Sequence, residues 1–269
     1  MRRGWFLPIT ATLGFAFLYL PIMSLVVFSF NESRLVTVWS GFSTKWYGEL
    51  FADPQMLGAA WLSLQIAFFA ASVALVLGTL CAIALVRFKR FRGRTILAGT
   101  VSAPLVMPDV ITGLAMLLLF VAMESIVGWP SGRGMLTITI AHATFCTAYV
   151  TVVVQSRLSD LDLSLEEAAM DLGATPVRVF FDITLPIIAP ALVSGWLLAF
   201  TLSLDDLLIA SFVSGPGSST LPMVIFSKVR LGVSPDVNAL ATIIIGAVAL
   251  GVLVAGLISF RSSSRPKKA

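Results

Sequence analysis

A chain of 269 residues with 58% hydrophobic and only 12% charged side chains cannot fold as a water-soluble globule, because too few polar groups remain to cover its surface. The net charge of +4 gives no argument for a nucleic-acid partner, and the two cysteines give no disulfide framework. What is left is a protein whose solvent is the bilayer.

Apolar windows of roughly 20 residues, the length that crosses a hydrocarbon core, fall near Trp5 to Phe30, Ala59 to Val86, Ile96 to Met123, Leu136 to Val154, Ile187 to Val213 and Ala239 to Phe260. They predict an all-α membrane protein with six transmembrane helices in a single domain, residues 1–269. Arg2 and Arg3 ahead of the first window suggest a signal peptide. The window is too long for one and lacks a small-x-small site before Asn31, so an uncleaved anchor is expected. Cys81 and Cys146 lie within apolar windows, where thiols behave as small hydrophobes. In the third window Pro104 and Pro108 break the helical hydrogen-bond ladder just before Asp109.

Between the fourth and fifth windows, about residues 155–186, lies a polar island. Ser164 followed by Glu167 reads as a capping box at a helix start. Leu165, Ala168, Ala169 and Leu172 then recur at helical spacing as one apolar stripe, with Glu166, Glu167 and Asp171 facing elsewhere. Gly173 supplies a left-handed stop. Thr175-Pro176 reads as N-cap and first residue of a second turn, with Val177, Phe180 and Phe181 on one face. A stripe built on alanine lets another protein's groove come close to the helix backbone.

Further along, Gly215-Pro216-Gly217 is expected to hinge the segment Leu221 to Leu231, leaving Lys228 and Arg230 available to a receptor protein, or else to form a solvated loop. Ala247, Gly251 and Ala255 make a small-residue row suited to close helix packing. The tail 261–269, carrying Arg261, Arg265, Lys267 and Lys268, reads as a positive topological stop.

Positive loops resist translocation. With both termini inside, thirteen of the eighteen lysines and arginines lie on the cytoplasmic side; Arg34, Lys45, Arg133, Lys228 and Arg230 lie outside. The polar island is then cytoplasmic.

The order Glu167-Ala168-Ala169, three residues, Gly173, nine residues, Ile183, one residue, Leu185-Pro186 resembles the signature loop of the membrane subunits of bacterial ABC importers, meeting each of its fixed positions. The resemblance implies the fold of a type I importer permease, in which this loop is a coupling helix on a separate ATP-binding subunit. Glu167 would then be the polar contact, Ala168 and Ala169 the close-packed face, and Gly173 the bend. It also implies a second, homologous permease, two ATP-binding subunits, a periplasmic solute-binding protein and a bacterial inner-membrane location.

Ionisable residues inside membrane spans are costly, which makes each a functional hypothesis. The chain carries Asp109, His142, Asp205 and Asp206 there. Adjacent residues point about 100° apart on a helix, so Asp205 and Asp206 are not expected to grip one charge together. Asp205 shares a face with Thr201, and Asp206 with Ser203. The acids read as an acidic lining for a cationic solute, with one of Asp205 and Asp206 facing the path and the other a neighbouring helix. The alternatives are that Asp109 caps the helix restarting after the prolines and that Asp206 caps a broken helix end or pairs with a partner subunit. His142 reads either as a gate or as a satisfied packing residue. Ser29-Phe30-Asn31, Pro104-Leu-Val-Met-Pro-Asp109 and Ser203-Leu-Asp-Asp206 look like the polyamine branch of the same family, most of all its putrescine permeases. Spermidine, iron and anion permeases share parts of these motifs.

No phosphate-binding Gly-x-x-x-x-Gly-Lys-Ser/Thr loop, His-Glu-x-x-His pair or Cys/His cluster is present. ATP hydrolysis is therefore expected from another subunit, with no cofactor, metal or catalytic residue in this chain. The rival reading is a proton-coupled carrier that uses Asp109, His142 and Asp205 as a relay.

Overall fold

The computed structural model describes residues 5–35, 38–88, 90–232 and 235–263, and side chains within them except at 231, 251, 252 and 254–263. Arg2, Arg3, Lys89 and the basic residues of 264–269 lie outside the described residues, as do the side-chain placements of Gly251, Ala255 and Arg261.

Among the described residues the chain runs through α1 (Phe6–Phe28), α2 (Lys45–Ala52), α3 (Pro54–Arg87), α4 (Arg94–Val106), α5 (Asp109–Val127), α6 (Met135–Ser159), α7 (Leu163–Asp171), α8 (Pro176–Val179), a π-helical turn Phe180–Thr184, α9 (Leu185–Asp205), α10 (Leu208–Val213), α11 (Leu221–Leu231) and α12 (Pro235–Ser263). Phe6–Phe28, Pro54–Arg87, Asp109–Val127, Met135–Ser159 and Pro176–Asp205 are long and apolar enough to cross a bilayer, and Pro235–Leu250 is a shorter apolar helix. These six correspond to the six windows of the sequence.

Two windows are not single helices. The third ends α4 at Val106, because the proline ring of Pro108 pushes the preceding Met107 into extended backbone, φ −76° and ψ 137°. Pro104 stays inside α4. The fifth is interrupted after Asp205, where Asp206 is extended at ψ 127° before α10 resumes.

Contacts divide the chain into Met1–Leu57 with Ile225–Ala269, and Gly58–Val224. In the first unit α12 packs on α1 and α2. α2 buries Trp46 and Leu50. The Trp46 indole N–H donates to the Asn31 carbonyl at 2.6 Å, and the Asn31 side chain accepts from Ser40 N–H at 3.0 Å while donating to the Val38 carbonyl at 2.7 Å. Ser29 Oγ lies 2.8 Å from the Tyr47 hydroxyl. Ser29-Phe30-Asn31 therefore closes the end of α1 by satisfying buried backbone groups.

In the second unit α6 is the central helix. Of its apolar window 61% is buried, against none for α1, so α6 meets protein on most sides. Ala141, Cys146 and Ala148 keep its surface low, and α9, α4 and α10 pack on it. Val150 stands between two helices that offer it glycine: a Cβ on Gly78 of α3 would come 2.8 Å from Val150 Cβ, and one on Gly195 of α9 3.5 Å from its Cγ1. Gly113 brings α5 onto α10, where a Cβ would lie 3.2 Å from Ile209 Cα.

Candidate functional site

The polar island folds as helix, bend and helix. Its first cap is not the Ser164/Glu167 box. Asp162 stands at the N-cap with φ −68° and ψ 116°, and its carboxylate accepts from Ser164 N–H at 3.0 Å. Aspartate is as good a cap as serine, and two residues further upstream it claims the helix start. That backbone hydrogen bond holds the Asp162 carboxyl below its usual range. Glu167 is thereby released from capping and stands exposed.

The stripe also differs in direction from an ordinary amphipathic helix. Leu165 is 50% and Leu172 90% exposed, Ala168 is exposed and Ala169 half-buried, so the apolar face looks outward. Glu166, expected only to point away from the stripe, turns inward to Arg87. Its direction depends on a residue far away in the sequence.

Gly173 ends α7 as predicted, at φ +87°. Its N–H donates to the Met170 carbonyl at 2.9 Å and that of Ala174 to the Ala169 carbonyl at 3.1 Å, the paired bonds of a Schellman cap. Pro176 starts α8 behind Thr175. Val177 and Phe181 are exposed, and Val179 is the residue of this turn that is buried. A shallow cavity of about 280 Å³ lies against Ala169, Leu172, Gly173, Arg178, Asp182 and Ile183. Leu185 and Pro186 open α9.

A second cavity, of about 350 Å³, collects Asp109, Asp205 and Asp206 with Phe145, Tyr149 and Leu202. Both interruptions of the membrane helices open here: Asp109 is the first residue after one, and Asp205 and Asp206 flank the other. Asp206 is the residue at which the helix ends, extended at ψ 127°, and both aspartates line the same cavity. Asp206 is held on several sides, by Ala210 N–H at 2.8 Å, Ile209 N–H at 3.3 Å and His142 Nε2 at 3.1 Å. It therefore both caps α10 and lines the cavity. His142 does not line it. The ring is 1% exposed, with Nδ1 2.7 Å from Ser203 Oγ, so it stands behind Asp206 as a satisfied buried group. Asp205 remains exposed.

Sequence reasoning missed Phe145 and Tyr149, whose rings meet edge to face at 5.1 Å. With His142 they fall at helical spacing i, i+3 and i+7 on α6, a signal a helical projection of that span would have revealed. Aromatic faces beside carboxylates favour cations. A site with this lining repels anions and compensates a cationic solute for lost water.

The features near α11 differ from expectation. Gly215 is pinned: Ser218 Oγ accepts from its N–H at 2.8 Å and donates to its carbonyl at 2.7 Å, while Arg133 backbone fills the space a side chain would need. A turn fixed in this way is not a free hinge. Lys228 is not available to a receptor, since its ammonium donates to Asp53 at 2.8 Å and Asp236 at 2.7 Å. The Lys228 hydrogen bond holds the Asp53 carboxyl below its usual value. Burial acts to lower the Lys228 value, but the hydrogen bonds from Asp236 and Asp53 outweigh it and raise the ammonium above its ordinary range. Arg230 is exposed, 5.8 Å from the Phe226 ring.

Comparison with known proteins gives a consistent picture. The family described as binding-protein-dependent transport system inner membrane component matches residues 74–267. The putrescine transport system permease protein PotI of Escherichia coli (strain K12) is 62% identical, across 100% of this chain and 94% of its own length. The spermidine/putrescine transport system permease protein PotC of Haemophilus influenzae is 47% identical over 86% of this chain and 87% of its own. Among solved structures, a bacterial ABC transporter involved in the import of the acidic polysaccharide alginate matches with TM-score 0.71 at 16% identity, covering 96% of this chain and 95% of the other. The same fold is found in the MetNI methionine ABC transporter, with TM-score 0.60 at 16% identity over 78% of this chain and 96% of the other.

Proposed function

The chain belongs to the family of inner membrane components of binding-protein-dependent transport systems, and on that footing we propose that it is the permease subunit of an ATP-driven importer that moves a polyamine, putrescine foremost. The observation that carries the solute assignment is the cavity in which Asp109, Asp205 and Asp206 meet Phe145 and Tyr149. A diamine enters such a space as two ammonium groups joined by an apolar tether. Carboxylates replace the water each ammonium gives up, and the aromatic faces suit both the charge and the tether. An anionic cargo would meet repulsion from the same groups.

In this reading the outward apolar stripe of α7, with Glu167 at its edge and Gly173 at its end, is the surface on which a cytoplasmic ATP-binding subunit seats. Closing of the ATP-binding subunits pulls α7, and the helices behind it alternate between inward and outward openings. A second, homologous permease, two ATP-binding subunits and a periplasmic solute-binding protein complete the assembly in the inner membrane, with both termini of this chain cytoplasmic. The family is one of permeases rather than enzymes, and hydrolysis belongs to the partner. His142, already engaged by Ser203 and Asp206, is poorly placed for the relay that a proton-coupled carrier needs.

The test is uptake of labelled putrescine by the complete complex in proteoliposomes, with spermidine, ferric ion and phosphate as competitors. Competition by amines alone is the expected result. Uptake without ATP, or competition by the anion, would overturn the proposal.

A further inference from the structure

One oxygen ties three elements together behind the outward face of α7. Glu166 Oε1 accepts from Arg87 Nη2 at 2.6 Å and from Thr184 Oγ1 at 2.6 Å. Arg87 is in the last turn of α3, where a cation suits the helix dipole, and Glu166 is in the first turn of α7, where an anion does. Thr184 closes the π-helical turn that leads into α9, and it is 4% exposed. The Arg87 and Glu166 side chains are 19% and 14% exposed, so the pair is shielded from much of the screening that weakens surface ion pairs. Ile83, Leu158, Met170 and Phe180 line an apolar cavity of about 310 Å³ beside them.

The geometry has a mechanical reading. Apart from this junction, α7 meets the rest of its unit mainly through α8 and the π-helical turn. A pull on α7 reaches α9 through the chain and Thr184, but it reaches α3 through Arg87. Charge-assisted hydrogen bonds to one shared oxygen are short and directional. They resist displacement where an apolar contact would slide.

We propose that Glu166 is a positioning residue for transport: its carboxylate, held by Arg87 and Thr184, passes movement of α7 to α3 and α9. This rests on the reading of α7 as the seat of the ATP-binding subunit. Glu167, on the exposed side, belongs to the docking contact; Glu166, on the inner side, belongs to the transmission.

The experiment uses the full complex in proteoliposomes, with Glu166→Gln, Arg87→Gln, Arg87→Lys and Thr184→Val, and Glu167→Lys as the docking control. Three quantities are read: ATP-binding subunit retained on purification, ATP hydrolysed, and putrescine taken up per ATP. Expected for Glu166→Gln and Arg87→Gln is full retention of the ATP-binding subunit with uptake per ATP lower by roughly twofold to thirtyfold, the range produced by changes along a coupling route. Thr184→Val lowers the ratio less, and Arg87→Lys restores most of it. A variant that merely misfolds lowers hydrolysis and uptake in proportion and leaves the ratio unchanged. Wild-type uptake per ATP in both Glu166→Gln and Arg87→Gln overturns the proposal. Retention of the ATP-binding subunit by Glu167→Lys would instead overturn the docking assignment on which it rests.

Discussion

His142, buried and absent from the cavity lining, holds Asp206 with Nε2 3.1 Å from Oδ2, while the other ring nitrogen is 2.7 Å from Ser203 Oγ. The imidazole links the end of α9 to the start of α10 across the interruption between them. Removing it leaves a buried hydroxyl without that partner and a carboxylate less well held, at a cost of about 1–3 kcal/mol. His142→Ala is expected to lower the thermal midpoint of the detergent-solubilised complex along with its uptake. A midpoint equal to wild type would show that the ring carries no such structural role.

Asp205 and Asp206 line one cavity, but they separate in behaviour. Asp206 caps α10, and Asp205 is exposed. Asp205→Asn is expected to raise the KM for putrescine by roughly tenfold, the effect of losing one charge-assisted contact, with the thermal midpoint unchanged. Asp206→Asn should lower both affinity and midpoint. Uptake assays paired with thermal unfolding distinguish them, and equal losses of uptake and basal ATPase activity in Asp205→Asn would argue for a purely structural role.

Gly173 needs its left-handed backbone, φ +87°, although nothing within 4 Å would obstruct a side chain. A β-branched residue there is strained by about 1–2 kcal/mol, which reshapes the bend without unfolding the membrane core. Gly173→Val and Glu167→Lys should each abolish uptake and leave membrane insertion intact. Flotation and uptake assays measure the two; normal uptake in both variants would remove α7 from the coupling role.

The Asp53–Lys228–Asp236 cluster predicts a pH window. The folded-state Asp53 value is depressed below 3.8, so its contribution is complete above that pH and is lost as pH falls through the depressed value. The Lys228 value is raised above 10.5, so its contribution is complete below that pH and is lost as pH rises through the raised value. The cluster is intact across the neutral range. Lys228→Met, which leaves both carboxylates without the shared ammonium, is expected to lower the thermal midpoint at pH 7 and to have less effect in strong acid. A midpoint shift of the same size at both pH values would contradict the assignment.

Hydropathy made the six spans legible because each is a sum over about twenty side chains and tolerates local error. Gly173 and Pro108 were legible for a different reason: each forces a backbone conformation whatever surrounds it. The interruption after Asp205 carried no such mark, since Leu204, Leu207, Leu208 and Ile209 continue the apolar run and the break follows from Asp206 taking the N–H groups of the next turn. The inward turn of Glu166 depends on Arg87, 79 positions earlier, and the acidic cavity depends on α5, α6 and α9 converging. Both are matters of packing, which local pattern does not encode.

Val150 gives the three-helix assembly around α6 a further property. With Cγ1 close to both Gly78 and Gly195, it acts as a key held by two glycine slots. Neither α3 nor α9 can slip lengthwise along α6 without first lifting clear of that key.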